Sequence, residues 1–114
     1  KIHFELGPIQ EYNPPAHSGL LAVHACGSRT DRCFEMAVDG SLCIAAMPCC
    51  HALSAYGERP TAFDESIGRA LALDIDRTYR LRDAGYEVRW KAIPRAITPM
   101  NRIILAVPGK GARQ

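Results

Sequence analysis

Histidine and cysteine gather at two places in this sequence, His24-Ala25-Cys26-Gly27 and Pro48-Cys49-Cys50-His51. An imidazole titrates close to neutral pH and suits general acid–base work, with His24 the first candidate and His51 the alternate. Thiolates act as nucleophiles or as soft metal ligands, so a second chemistry is zinc held by His24, Cys26 and the Cys49–His51 cluster. That pattern echoes the H-x-E…P-C-x-x-C signature of zinc nucleobase deaminases. It departs where the chemistry needs it: position 26 is cysteine rather than glutamate, and no C-x-x-C follows Pro48. No metal ligand is assigned on this basis. Cys49 and Cys50 are neighbours, so on an extended chain their side chains point to opposite faces and one of them reaches a shared site.

Two apolar runs deliver these clusters. Leu20–Val23 leads into the first and Leu42–Met47 into the second. Both are short and almost free of polar residues, the pattern of strands in a parallel sheet covered on both faces. The segment between them reads as a helix. Ser28 with Asp31 three positions on approaches a capping box, with Asp31 read as a cap rather than a substrate contact. Thr30, Cys33, Phe34 and Ala37 fall on one helical face, and Asp39-Gly40 ends the helix. Strand, helix and strand make a βαβ unit, which brings both strand C-termini to one edge of the sheet. His24, Cys26, Cys49, Cys50 and His51 are therefore expected together at the edge where open α/β sheets bind ligands.

The chain of 114 residues is of single-domain length, 47% hydrophobic and 23% charged. No run approaches the roughly 20 apolar residues of a membrane span, and the expected compartment is the cytoplasm, with no membrane partner. Five cysteines are an odd number, placed mostly in or beside predicted strands and a helix, and are read as reduced thiols. Cys33 and Cys43 are expected in the core. The net charge of +2 hides an asymmetry: residues 1–68 carry 4 basic against 8 acidic side chains, residues 69–114 carry 10 against 4. Arg77, Arg80, Arg89, Lys91 and Arg95 in the basic half are candidates for phosphate contact.

In chain order, Ile2–Ile9 alternates and predicts a strand that stops near Gly7-Pro8, and Asn13-Pro14-Pro15 is a loop signal. After His51 a loop runs to Pro60. Thr61 or Asp64 then opens one long helix over about 63–84, with Ile67, Leu71, Ile75 and Thr78 on its buried face and Gly85 as its C-terminal turn. Tyr86–Ile93 and Asn101–Val107 read as strands. The seven residues between them are too few for a parallel crossover, so these two strands form an antiparallel pair. Residues 1–108 make the domain and 109–114 a tail.

That element order, with HACGSRTD at 24–31, PCCH at 48–51, Asp74-Ile75-Asp76-Arg77 leading to Ala84-Gly85-Tyr86, and ITPMNRIILA at 97–106, resembles the methyltransferase-like family with H-x-C-G and P-C-C signatures. The family includes tRNA acceptor-stem 2′-O-methyltransferases and the methyltransferase-like domain of the glutathione S-transferase C-terminal-domain-containing protein. The resemblance implies an α/β, Rossmann-like class I methyltransferase sheet, represented by its later strands and ending in an antiparallel pair. It implies S-adenosylmethionine as cofactor, approached by Glu11, Tyr12, His24, Ala25 and Gly27. His24, Cys26 and His51 become the catalytic candidates, and Pro48, Cys49, Cys50 and Arg95 the substrate-binding ones. The first strand, its glycine-rich turn and the acidic end of the second strand are not among these residues, so the cofactor half is expected from a preceding segment or another chain. The expected function is methyl transfer to RNA. The alternative is an inactive methyltransferase-like scaffold completed by a partner, such as a missing N-terminal half or a second copy in a homodimer.

Overall fold

The computed structural model describes residues 1–25, 27–49 and 63–110. Among them, strands β1 (Gly19–Val23), β2 (Cys43–Met47), β3 (Tyr86–Ala92) and β4 (Arg102–Pro108) and helices α1 (Ser28–Gly40), α2 (Asp64–Ile67) and α3 (Arg69–Asp83) form a mixed α/β unit. The sheet order is β1-β2-β4-β3. β1 and β2 run parallel, with Leu21 opposite Ala45, as a βαβ connection through α1 requires. β4 lies between β2 and β3 and is antiparallel to both, with Ala46 opposite Ile104 and Ile104 opposite Trp90. The short connection, residues 93–101, therefore makes the expected antiparallel pair, and the chain returns into the sheet rather than adding to its edge.

The core lies between the sheet and one layer of helices. Ala22, Ile44, Ala46, Ile104, Ala106 and Tyr86 point from the strands to Cys33, Phe34, Met36 and Ala37 of α1 and Leu81 of α3. Tyr86 donates its hydroxyl hydrogen to the Ala37 carbonyl at 2.7 Å, with the Leu42 carbonyl at 3.0 Å, joining the end of α1 to the start of β2. Leu42 is itself buried and its amide donates to the Ala37 carbonyl. Ser41, in the left-handed region at φ 52°, turns the chain out of α1 where Asp39-Gly40 was expected to end it.

The opposite face of the sheet is open. Leu21 is 78% and Val23 49% exposed, and Cys43 and Val107 are exposed beside them. The expectation of a sheet covered on both faces does not hold among the described residues, nor does that of a buried Cys43. The cause is the two-residue period of the strand: Cys43 falls on the face opposite Ile44. Cys33 is buried as expected.

Three further expectations change. Residues 2–8 form no strand; only a 3-10 turn at Ile9–Glu11 is regular, and Ile2, Phe4 and Leu6 stand exposed. Alternation is a local pattern, whereas a strand needs a neighbour to hydrogen-bond, and these residues pair with none. The long helix is broken at Gly68, whose φ of 85° suits glycine and ends α2 before α3 begins. The break turns the helix surface, so that Ala72, Leu73, Asp74, Arg77 and Leu81 are buried while Ile67 is exposed. Finally, Gly27 rather than Ser28 is the N-cap of α1, and no side chain caps it.

Candidate functional site

Both strands of the βαβ unit end at the same edge, as parallel strands must. β1 ends at Val23, and His24 follows in the left-handed region at φ 56°, with its side chain exposed. Such a backbone is uncommon for a residue with a Cβ and marks a tightly determined turn. Ala25 is half-buried, and its carbonyl accepts the hydroxyl of Thr30, a buried residue of the first turn of α1. Gly27, at φ 62° and ψ −130°, completes the turn in a conformation that side chains avoid. His24 thus projects from a turn closed by backbone and by Thr30.

At the end of β2, Pro48 is buried and Cys49 half-buried. Cys26, Cys50 and His51 lie outside the described residues, as do the loop to Pro60 and Thr61. Glu11 and Tyr12 line a cavity with His3, Glu5, Gly7 and Pro15 of the N-terminal segment, and its wall includes none of His24, Ala25 and Gly27. The described residues therefore do not join the two parts of the expected cofactor contact. No group of three metal-ligating side chains occurs among the described residues, and the zinc cluster weighed from the sequence falls mostly outside them.

The neighbouring part of the edge is built from charge. Arg77 is 2% exposed and Asp74 1%. The Arg77 guanidinium donates to Asp31 on α1, Nε to Oδ1 at 2.8 Å and Nη2 to Oδ2 at 3.2 Å, and through Nη1 to Asp74 Oδ1 at 3.0 Å. Asp74 Oδ2 accepts from Arg102 Nη1 of β4 at 2.7 Å, and the Arg102 guanidinium lies 4.7 Å over the Trp90 ring of β3. Trp90 in turn donates from Nε1 to Thr78 Oγ1 of α3 at 2.8 Å. Two arginines and two aspartates thus tie α1, α3 and β4 together. Asp31, expected as a helix cap, is instead the bidentate acceptor of Arg77, a partner 46 residues away.

Against this network lies a cavity of about 390 Å³, bounded by Pro48, the α2–α3 corner and the connection from β3 to β4. That connection is pinned at its neck, where Asn101 Nδ2 donates to the Ile93 carbonyl at 2.7 Å and the Ile93 amide to the Asn101 carbonyl at 3.0 Å. Arg95 reaches the cavity from it.

The chain matches no family model, no curated protein and no solved structure.

Two of the expected substrate-binding residues, Pro48 and Arg95, meet at this cavity. The five basic residues considered for phosphate contact do not form one surface. Arg77 is enclosed by its carboxylates, and Arg80 is paired with Asp76 at 2.8 Å on the exposed side of α3. Arg89 and Lys91 stand on the open face of β3, apart from Arg95 on the connection. Sequence reading gave no site role to Arg69, Asp74, Asn101 or Arg102, although the last three lie in the quoted motifs. A signal for the buried part existed: Asp74 and Arg77 are three apart, on the helix face that also carries Leu73 and Leu81.

Proposed function

We propose that this chain is the later-strand part of an S-adenosylmethionine-dependent methyltransferase-like domain acting on RNA. One observation carries the reading: a parallel βαβ unit is followed by a last strand that runs antiparallel beside its predecessor, and the H-x-C-G and P-C-C segments follow the ends of the two parallel strands. In such a transfer the protein chiefly positions donor and acceptor, and a base takes the proton of a hydroxyl acceptor. We assign that base to His24, which is exposed at the turn after β1.

The fit to the cofactor is incomplete. Gly27 brings a side-chain-free residue to the β1 turn, but Glu11 and Tyr12 face a separate cavity, so the described residues alone do not build a site for it. Calorimetric titration of the full chain with S-adenosylmethionine tests the reading. Saturable binding that weakens in His24→Asn, since Asn tolerates the left-handed backbone found there, with the fold retained by circular dichroism, is expected. A folded protein that takes up none would instead favour a second reading, a methyltransferase-like binding module completed by a partner. The open sheet face, with Leu21, Val23 and Val107 in solvent, supports that alternative.

A further inference from the structure

The turn that carries His24 is held in a conformation that its own residues do not favour. His24 sits at φ 56° and Gly27 at φ 62°. Glycine adopts such an angle at little cost, but a residue with a Cβ keeps it only where its surroundings determine it. Here they are the first turn of α1, and within that turn one residue, Thr30.

Thr30 clasps the loop with both of its donors. Its amide donates to the Gly27 carbonyl at 3.2 Å, and its hydroxyl donates to the Ala25 carbonyl. Ala25 follows His24 directly, so holding that carbonyl holds the chain immediately beyond His24. Thr30 is 2% exposed, and its branched Cβ leaves the side chain few rotamers. A buried hydroxyl needs an acceptor, and the Ala25 carbonyl supplies it. The neighbouring Asp31 keeps the helical turn from rotating, because both of its oxygens accept from Arg77, whose side chain on α3 is 1% exposed. The place of His24 is thus set from the buried charge network, through Thr30, rather than from solvent.

We infer that Thr30 is a positioning residue for His24: its hydroxyl, held on the Ala25 carbonyl, fixes the backbone from which the imidazole projects. Thr30 acts only through the turn. That the imidazole so placed works as a base rests on the methyl-transfer reading, whereas the control of its place by Thr30 does not.

The test is proton NMR of the imidazole signals of the full chain, recorded without cofactor. His24→Asn identifies the His24 signal by its loss, and the signals of His3 and His17 are internal references. Thr30→Val keeps the branched shape and removes the hydroxyl, whereas Thr30→Ser keeps the hydroxyl and removes the methyl group. Thr30→Val should shift or split the His24 signal while His3 and His17 stay in place, and Thr30→Ser should restore it. Thr30→Ala replaces the valine variant if the stranded carbonyl prevents folding, since it leaves room for a water beside Ala25. Where S-adenosylmethionine binds, Thr30→Val should weaken it and Thr30→Ser should not. An unmoved His24 signal in a folded Thr30→Val chain would overturn the role. So would a signal moved as far by Thr30→Ser as by Thr30→Val, since packing rather than the hydroxyl would then be its cause. A signal that moves as expected in a chain that takes up no S-adenosylmethionine would support the role of Thr30 and count against methyl transfer.

Discussion

The two faces of the sheet use the same strands and differ in what they meet. Toward the helices, the row Ala22, Ala46, Ile104 and Trp90 crosses all four strands, and its first three members are at most 8% exposed. One residue along, the row Leu21, Ala45, Leu105 and Arg89 crosses the open face and begins with a leucine 78% exposed. β1, β2 and, beyond Arg102, β4 are apolar toward both sides. β3 alone alternates, with Tyr86, Val88 and Trp90 on the helix side and Glu87, Arg89 and Lys91 on the other. Unbroken apolar runs therefore announce how much surface a strand could bury, and the fold decides which half is buried.

Substitutions on the helix side should be far more costly than on the open side. The largest effect is expected at Arg77: Arg77→Met leaves Asp74 and Asp31 without their shared cation and should destabilise by about 3–5 kcal/mol in denaturant titration. Ile104→Ala opens a cavity at a residue with no exposed surface and should cost about 2–5 kcal/mol. Tyr86→Phe removes a buried hydrogen bond to the Ala37 carbonyl, which keeps the Leu42 amide as a donor, and should cost about 1 kcal/mol. Leu21→Ala, on the open face, should change stability by under about 0.5 kcal/mol. A Leu21 effect as large as that at Ile104 would break the comparison and mean that the open face is covered in solution.

Two thiols sharpen the contrast. Cys43 on the open face should react with a thiol reagent in the native state, whereas Cys33 should react only on unfolding. Burial raises the Cys33 thiol above its ordinary value of 9.0, with only partial opposition from Arg32. Burial likewise raises the Tyr86 phenol above 10.0, helped by Cys43. Both groups are held neutral in the fold, so their contribution is fully present below pH 9 and lost as the pH rises past the unfolded values toward the folded ones. Stability should fall on the alkaline side, and Tyr86→Phe should flatten the part of that fall above pH 10.

The βαβ unit and the antiparallel pair were legible because apolar runs, loop lengths and turn residues are written locally. Pro48 and Arg95 were also singled out, although nothing in the sequence said that they share a cavity. Asp31 was misread for the opposite reason. A cap is a relation three residues long, while its real partner, Arg77, becomes a neighbour only when α3 packs beside α1. Arg69 was given no role because its pairing depends on Gly68, which ends one helix and starts the next, and on an acceptor five residues back. Ile2–Ile9 was overread, since alternation cannot supply a neighbouring strand.

The junction between β2 and β4 has a mechanical consequence. It is registered over three residue pairs, whereas β3 and β4 share seven. The seam is thus short in backbone hydrogen bonds, and what crosses it is the shared core together with the Tyr86 hydroxyl on the Ala37 carbonyl. Arg77 also reaches across that seam on the helix side, holding Asp31 of α1 while seated on α3. Without that cross-tie the amides along the β2–β4 seam should exchange their hydrogens sooner than those shared by β3 and β4.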